Sequence, residues 1–162
     1  MRGWAAVMAE PLPSAGARVW RFRSQEDAST PPDPGFCASA PFLPNLRLGA
    51  TLWEEDGYGE RRAGRATACA RITDPTFPPG ARLPFHAVFH LPEGRVVATG
   101  EATVVSNDVP VAGVVMAVCH LKVVEAPAGY SGGVACSLSV FNPAGVPGYA
   151  TGSEWTVRLF EA

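Results

Sequence analysis

The sequence predicts an all-β fold: eight antiparallel strands in up-and-down order, closed into a β-barrel. Three observations predict it. Eight runs rich in Val, Thr and aromatic residues are separated by Gly- and Pro-containing turns, which is the pattern of short strands. No stretch of a dozen residues carries a 3.6-residue apolar period. Most connectors are short, which favours neighbours in sequence as neighbours in space. Closing eight strands on themselves removes the unpaired edges an open sheet would expose, and leaves an interior fit for packed side chains or one small ligand.

The eight runs are residues 17–24, 46–53, 62–72, 85–91, 95–106, 111–124, 134–141 and 154–160. Glu55-Asp56-Gly57-Tyr58-Gly59 turns the second into the third, and Pro92-Glu93-Gly94 makes a tight hairpin of the fourth and fifth. Asn107-Asp108-Val109-Pro110 and Asn142-Pro143-Ala144-Gly145 supply turns later in the chain. Residues 25–45 stand apart. They hold Pro31, Pro32, Pro34, Pro41 and Pro44, exceed an ordinary connector, and are a candidate lid or binding loop. Residues 1–16 are expected to be a flexible start, followed by a single domain over 17–162.

Composition narrows the function. Charged residues are 17% of the 162, below the usual share of about 25%. The net charge of −2 leaves no basic footprint for nucleic acid. The basic residues are 12 arginines and one lysine, Lys122, a skew that suggests a GC-rich bacterial source. No run approaches the ~20 apolar residues of a membrane helix, and Met1 to Ala9 is too short an apolar run for a convincing signal peptide. The expectation is a cytoplasmic protein whose partner is a small apolar molecule, with neither nucleic acid nor membrane. Cys37, Cys69, Cys119 and Cys136 form no CxxC pair and are expected as buried free thiols.

No catalytic constellation stands out. His86 and His90 share a strand face but lie ~13 Å apart, too far for one metal ion. His120 and Cys119 point to opposite faces; the histidines are expected at the surface or rim, with no metal and no cofactor. There is no G-x-S-x-G elbow and no Gly-rich phosphate loop. Aromatic residues carry more information. Trp20 and Phe22 share a face, as do Phe85 and Phe89, and as do Trp155, Val157 and Leu159; Trp53 and Phe141 end their strands. They either fill the barrel or line a cavity. Small residues opposite them, Ala66, Ala68 and Ala70 on one face or Ala63, Thr67 and Cys69 on the other, favour a cavity. Tyr130, Thr51, Glu54, Arg21 and Arg23 are polar groups available to such a site. An inward Arg21 or Arg23 would call for an anionic ligand.

Several motifs fall in the order of one superfamily. Leu52-Trp53-Glu54-Glu55-Asp56-Gly57, Ala66-Thr67-Ala68-Cys69-Ala70-Arg71-Ile72, the hairpin from Phe89 to Gly100 and Gly129-Tyr130-Ser131-Gly132 together resemble the allene oxide cyclase and dirigent-like barrels. The size and character are similar to bacterial spirotetronate-type cyclases. That resemblance implies a cofactor-free cyclase of polyketide biosynthesis, an isomerase of Diels-Alderase type, promoting intramolecular [4+2] cycloaddition inside the barrel. It also implies dimers or trimers, for which Val114, Met116 and Val118 offer an apolar outer face. Cys69 falls near a cysteine that lines the cavity of the plant cyclases. The acid and asparagine of their first strand are replaced by Arg21 and Arg23, which argues against allene oxide chemistry.

The expected roles follow. Tyr130, Trp53 and Trp155 would polarise a dienophile carbonyl; Trp20, Phe22, Cys69, Phe85, Phe89, Phe141, Arg21 and Arg23 would hold substrate. The alternatives are a lipocalin-like carrier of an apolar metabolite, and a filled structural barrel with no cavity above ~300 Å³.

Overall fold

The computed structural model describes residues 16–55 and 57–162. It is a closed barrel with strand order β1 to β8 in sequence order: β1 (Ala17–Glu26), β2 (Leu46–Glu55), β3 (Glu60–Ala70), β4 (Arg82–Leu91), β5 (Gly94–Ser106), β6 (Val115–Glu125), β7 (Tyr130–Phe141) and β8 (Gly152–Glu161). Every neighbour pair is antiparallel, and β1 closes on β8 from Ala17↔Phe160 to Gln25↔Gly152. Among the described residues, one five-residue helix, α1 (Pro34–Ala38), interrupts the strands. The expected run from 111 starts late as a strand, because residues 111–113 belong to the preceding turn, where Val114 N–H donates to the Val111 carbonyl. The flexible start expected over 1–16 lies outside the described residues except for Gly16, whose carbonyl accepts from Glu161 N–H.

Alternation decides the inward face. Trp20, Phe22 and Ser24 point in from β1; Ala66, Ala68 and Ala70 from β3; Phe85, Ala87 and Phe89 from β4; Trp155, Val157 and Leu159 from β8. The other β3 face, with Thr67 and Cys69, points out.

The two ends of the barrel differ. Residues 57–59, 92–93 and 126–129 lie in short turns at one end, the floor. Residues 27–45, 71–81, 107–114 and 142–151 make the long connections, all at the opposite end, the mouth.

The Pro-rich segment corrects the lid expectation. It leaves the mouth and folds down the outside of the barrel as a strap over β2 to β5. Thr30 Oγ1 lies 3.0 Å from Thr51 Oγ1, and Asp33 N–H donates to Thr67 Oγ1. Asp33 caps α1 by accepting from the Gly35 and Phe36 amides, with Pro34 at the first helical position. Phe36 and Cys37 then cover Cys69, Val88 and Val97 in a second, external core. Gly49 lets the strap pass, since a Cβ there would collide with the Thr30 carbonyl. The physical reason is plain: the outer faces of β3, β4 and β5 carry apolar residues that need cover.

The strap also corrects the cysteine expectation. Cys37 and Cys69 form a disulfide with Cα atoms 5.6 Å apart. Only Cys119 is a buried free thiol, and Cys136 is exposed. Cytosolic reductants keep such bonds open, so the disulfide lends no support to a cytoplasmic location. Among the described residues, no helix is long and apolar enough to cross a membrane.

Candidate functional site in the upper lumen

The lumen is divided by an aromatic layer. Phe89, 1% exposed, meets Phe22 edge-on at 5.4 Å and Trp155 at 4.9 Å. Below it, Trp20 and Tyr130 pack edge-to-face at 6.0 Å and Leu159 and Val96 fill the rest, so the floor is sealed. Above it, the wall is made of small residues: Ala66, Ala68, Ala70, Ala87, Ala102 and Ala117. Large side chains on one level and alanines on another leave space, and the cavity there is about 100 Å³. It widens toward the mouth, and the whole depression out to open solvent is about 880 Å³.

Phe77 and Phe141 form the rim, 5.5 Å apart and edge-on. Phe77 hangs from the 71–81 loop with a positive φ of 49°, rare for a bulky residue. Asp74 holds that turn by accepting from Thr76 N–H and Oγ1–H, and these bonds hold the Asp74 carboxyl below its ordinary range.

One sector of the wall is polar. Ser24, Ser153 and Ser139 face each other across β1, β8 and β7 at one level. Ser139 Oγ lies 2.7 Å from Ser153 Oγ and 2.8 Å from Ser137 Oγ, while Trp155 Nε1–H donates to Ser24 Oγ at 3.2 Å. Cys119 Sγ lies 3.8 Å from Ser139 Oγ, and burial pushes its thiol pKa up, so it is a neutral group at physiological pH. Glu26 is the one charged residue among the described residues lining the cavity, and it sits at the mouth.

No protein-family model matches this chain. No curated protein is recognisably similar to it either.

The residues singled out from sequence divide into three groups. Trp155, Phe85, Phe89 and Phe141 line the upper cavity. Trp20, Phe22 and Tyr130 are inside the barrel but belong to the floor and the dividing layer. Trp53, Arg21, Arg23 and Cys69 are not in the lumen. Arg23 pairs with Glu60, its Nε donating to Oε1 at 2.8 Å, and lies 5.9 Å from the Trp53 ring, all on the outer wall. Arg21 is exposed on that wall, and Cys69 is tied to Cys37 beneath the strap. Burying a guanidinium without a partner is costly, which is why both arginines face water. Thr51 also faces outward, bonding to Asp27, and Glu54 pairs with Arg61. Val114 is fully buried rather than on an outer apolar face; Met116 and Val118 are half-buried on the outer wall.

The histidine expectation fails for His86. It is 6% exposed, stacked under Phe36 at 4.5 Å with the rings 4° from parallel, and its Nδ1 has no partner among the described residues. Burial first, and the Arg95 charge second, lower its pKa. His90 is shifted the same way. The unfolded chain therefore takes up a proton that the folded chain refuses as pH falls below about 6.5. The expected result is a thermal midpoint that drops between pH 7 and 5.5, and a shallower drop in His86→Phe, which keeps the ring stack. Asp27, Glu60 and Asp74, all lowered, act only at more acid pH. Among the described residues, no three His, Cys, Asp or Glu side chains gather as a metal-binding group.

Sequence reasoning missed the serine sector and Phe77. Ser137 and Ser139 alternate with exposed Cys136 and Leu138, but alternation alone does not say which set points inward.

Proposed function

We propose that the upper lumen binds a small, flexible, mostly apolar molecule and folds it for cyclisation without a cofactor, the intramolecular [4+2] chemistry implied by the resemblance to spirotetronate-type cyclases. The observation that carries the reading is the one-ended apolar cavity above the Phe22–Phe89–Trp155 layer. Cycloaddition needs its two reacting ends held in contact rather than a nucleophile or an acid–base pair. Such confinement is worth ~7–11 kcal/mol in favourable cases. The serine hydroxyls supply donors that can polarise a carbonyl as charge shifts onto it.

A lipocalin-like carrier is the second reading. It is favoured by the modest cavity volume of about 100 Å³, which suits a short ligand better than a long polyketide; that volume lies below the ~300 Å³ mark, so a filled structural barrel fits it too. Product analysis separates the two. Incubation with a linear diene–dienophile substrate yields a single cyclised stereoisomer from a cyclase, and unchanged substrate from a carrier.

Ala68 tests the site itself. It faces the cavity between Leu48 and Ala87. Ala68→Phe fills the space, so ligand affinity and any turnover fall more than tenfold while the far-ultraviolet circular dichroism stays barrel-like. Full binding in this variant would remove the lumen as the site.

A further inference from the structure

The charge and hydroxyl pattern of the lumen goes further, resting on the reading that the upper cavity binds a ligand. We infer that its ligand is electrically neutral and carries an acceptor oxygen, a ketone, ester, ether or alcohol, seated against Ser24, Ser139 and Ser153.

Neutrality follows from what the wall contains. Among the described residues, no lysine, arginine or histidine lines the cavity, and Glu26 stands at its mouth. The arginines that would have matched an anion, Arg21 and Arg23, are on the outside. A carboxylate entering this space would lose its water, find no cation, and pass an acidic side chain of the same sign. An ammonium group would find only Glu26, at the solvent-facing rim.

The acceptor oxygen follows from counting hydroxyl protons. Ser137, Ser139 and Ser153 own three O–H donors and make two bonds among themselves, leaving one O–H in the chain. Ser139 and Cys119 Sγ are also in contact at 3.8 Å, and either can donate, so the one donor left over in this chain is a serine O–H or the thiol S–H. Ser24 accepts from Trp155 Nε1–H, and no acceptor for its own O–H exists among the described residues. The Ser24 hydroxyl, and one donor of the serine–cysteine chain, thus remain in a largely apolar wall. A buried donor left unmade is costly, and a ligand oxygen satisfies it.

The test uses four probes of similar length: hexane, 2-heptanone, 1-heptanol and heptanoate, titrated at pH 7.5 with tryptophan fluorescence as the readout. The expected result is that 2-heptanone and 1-heptanol bind, and that heptanoate binds at least tenfold more weakly. Ser24→Ala, and separately the Ser139→Ala/Ser153→Ala double variant, should weaken 2-heptanone by about three- to tenfold. Hexane affinity should not change in either variant, which shows that the lumen is intact. Heptanoate binding as tightly as 2-heptanone overturns the neutrality while leaving the lumen as a binding site. Unchanged 2-heptanone affinity in both serine variants overturns the acceptor oxygen. Failure of all four probes overturns the inference together with the reading beneath it.

Discussion

Replacing Cys37 and Cys69 together by serine lowers the folding stability by about 3–4 kcal/mol, the entropy of a cross-link closing a loop of this length. The two residues are 32 apart in sequence, and the bond is the covalent end of the strap. Its loss acts twice. The unfolded chain regains the freedom of the loop, and the strap itself is left with Phe36 packing and a few hydrogen bonds to Thr51 and Thr67. In a domain of this size the thermal midpoint should fall on the order of 10 °C. Reductant added to the wild type should do the same, and should bring His86 toward ordinary titration as Phe36 lifts away. A midpoint indifferent to reductant would show that the strap is held by packing alone.

Phe89→Ala is the second large effect, with an expected cost of about 3–5 kcal/mol. Phe89 is the centre of the dividing layer, edge-on to both Phe22 and Trp155. Truncation removes both contacts and leaves a void that the rigid strands of a closed barrel cannot collapse around. The void joins the upper cavity, so the variant should bind benzene and regain part of its lost midpoint in its presence. Calorimetry with and without benzene measures both quantities. A loss under about 1 kcal/mol would mean that the layer is loosely packed.

The barrel itself was legible because each strand carried its own signal. Runs such as Phe85 to Leu91 and Arg95 to Ser106, joined by Pro92-Glu93, read as a hairpin from the residues alone, and the structure pairs them from Arg82↔Thr103 to Leu91↔Gly94. The site was legible only in part. Alternation places Phe85, Phe89 and Trp155 on one face of their own strands, but the choice of inward face depends on partners far along the chain. Arg21 and Trp20 are adjacent, and a choice of face sends one to water and the other to the core. The strap was not legible, since five prolines and a lone Asp33-Pro34 cap announce an irregular segment without saying which wall it covers. The disulfide was hidden for the same reason. Cys37 meets Cys69 only once the strap has folded down the outside.

The sealed floor has a kinetic meaning. Among the described residues, whatever occupies the upper chamber has one door, framed by Phe77 and Phe141, through which it both arrives and departs. Arrival and departure rates are thereby yoked to the same gatepost. Residence time can be altered there without touching the depth of the well, and a bulky product would be slowest to leave where its precursor was slowest to come in.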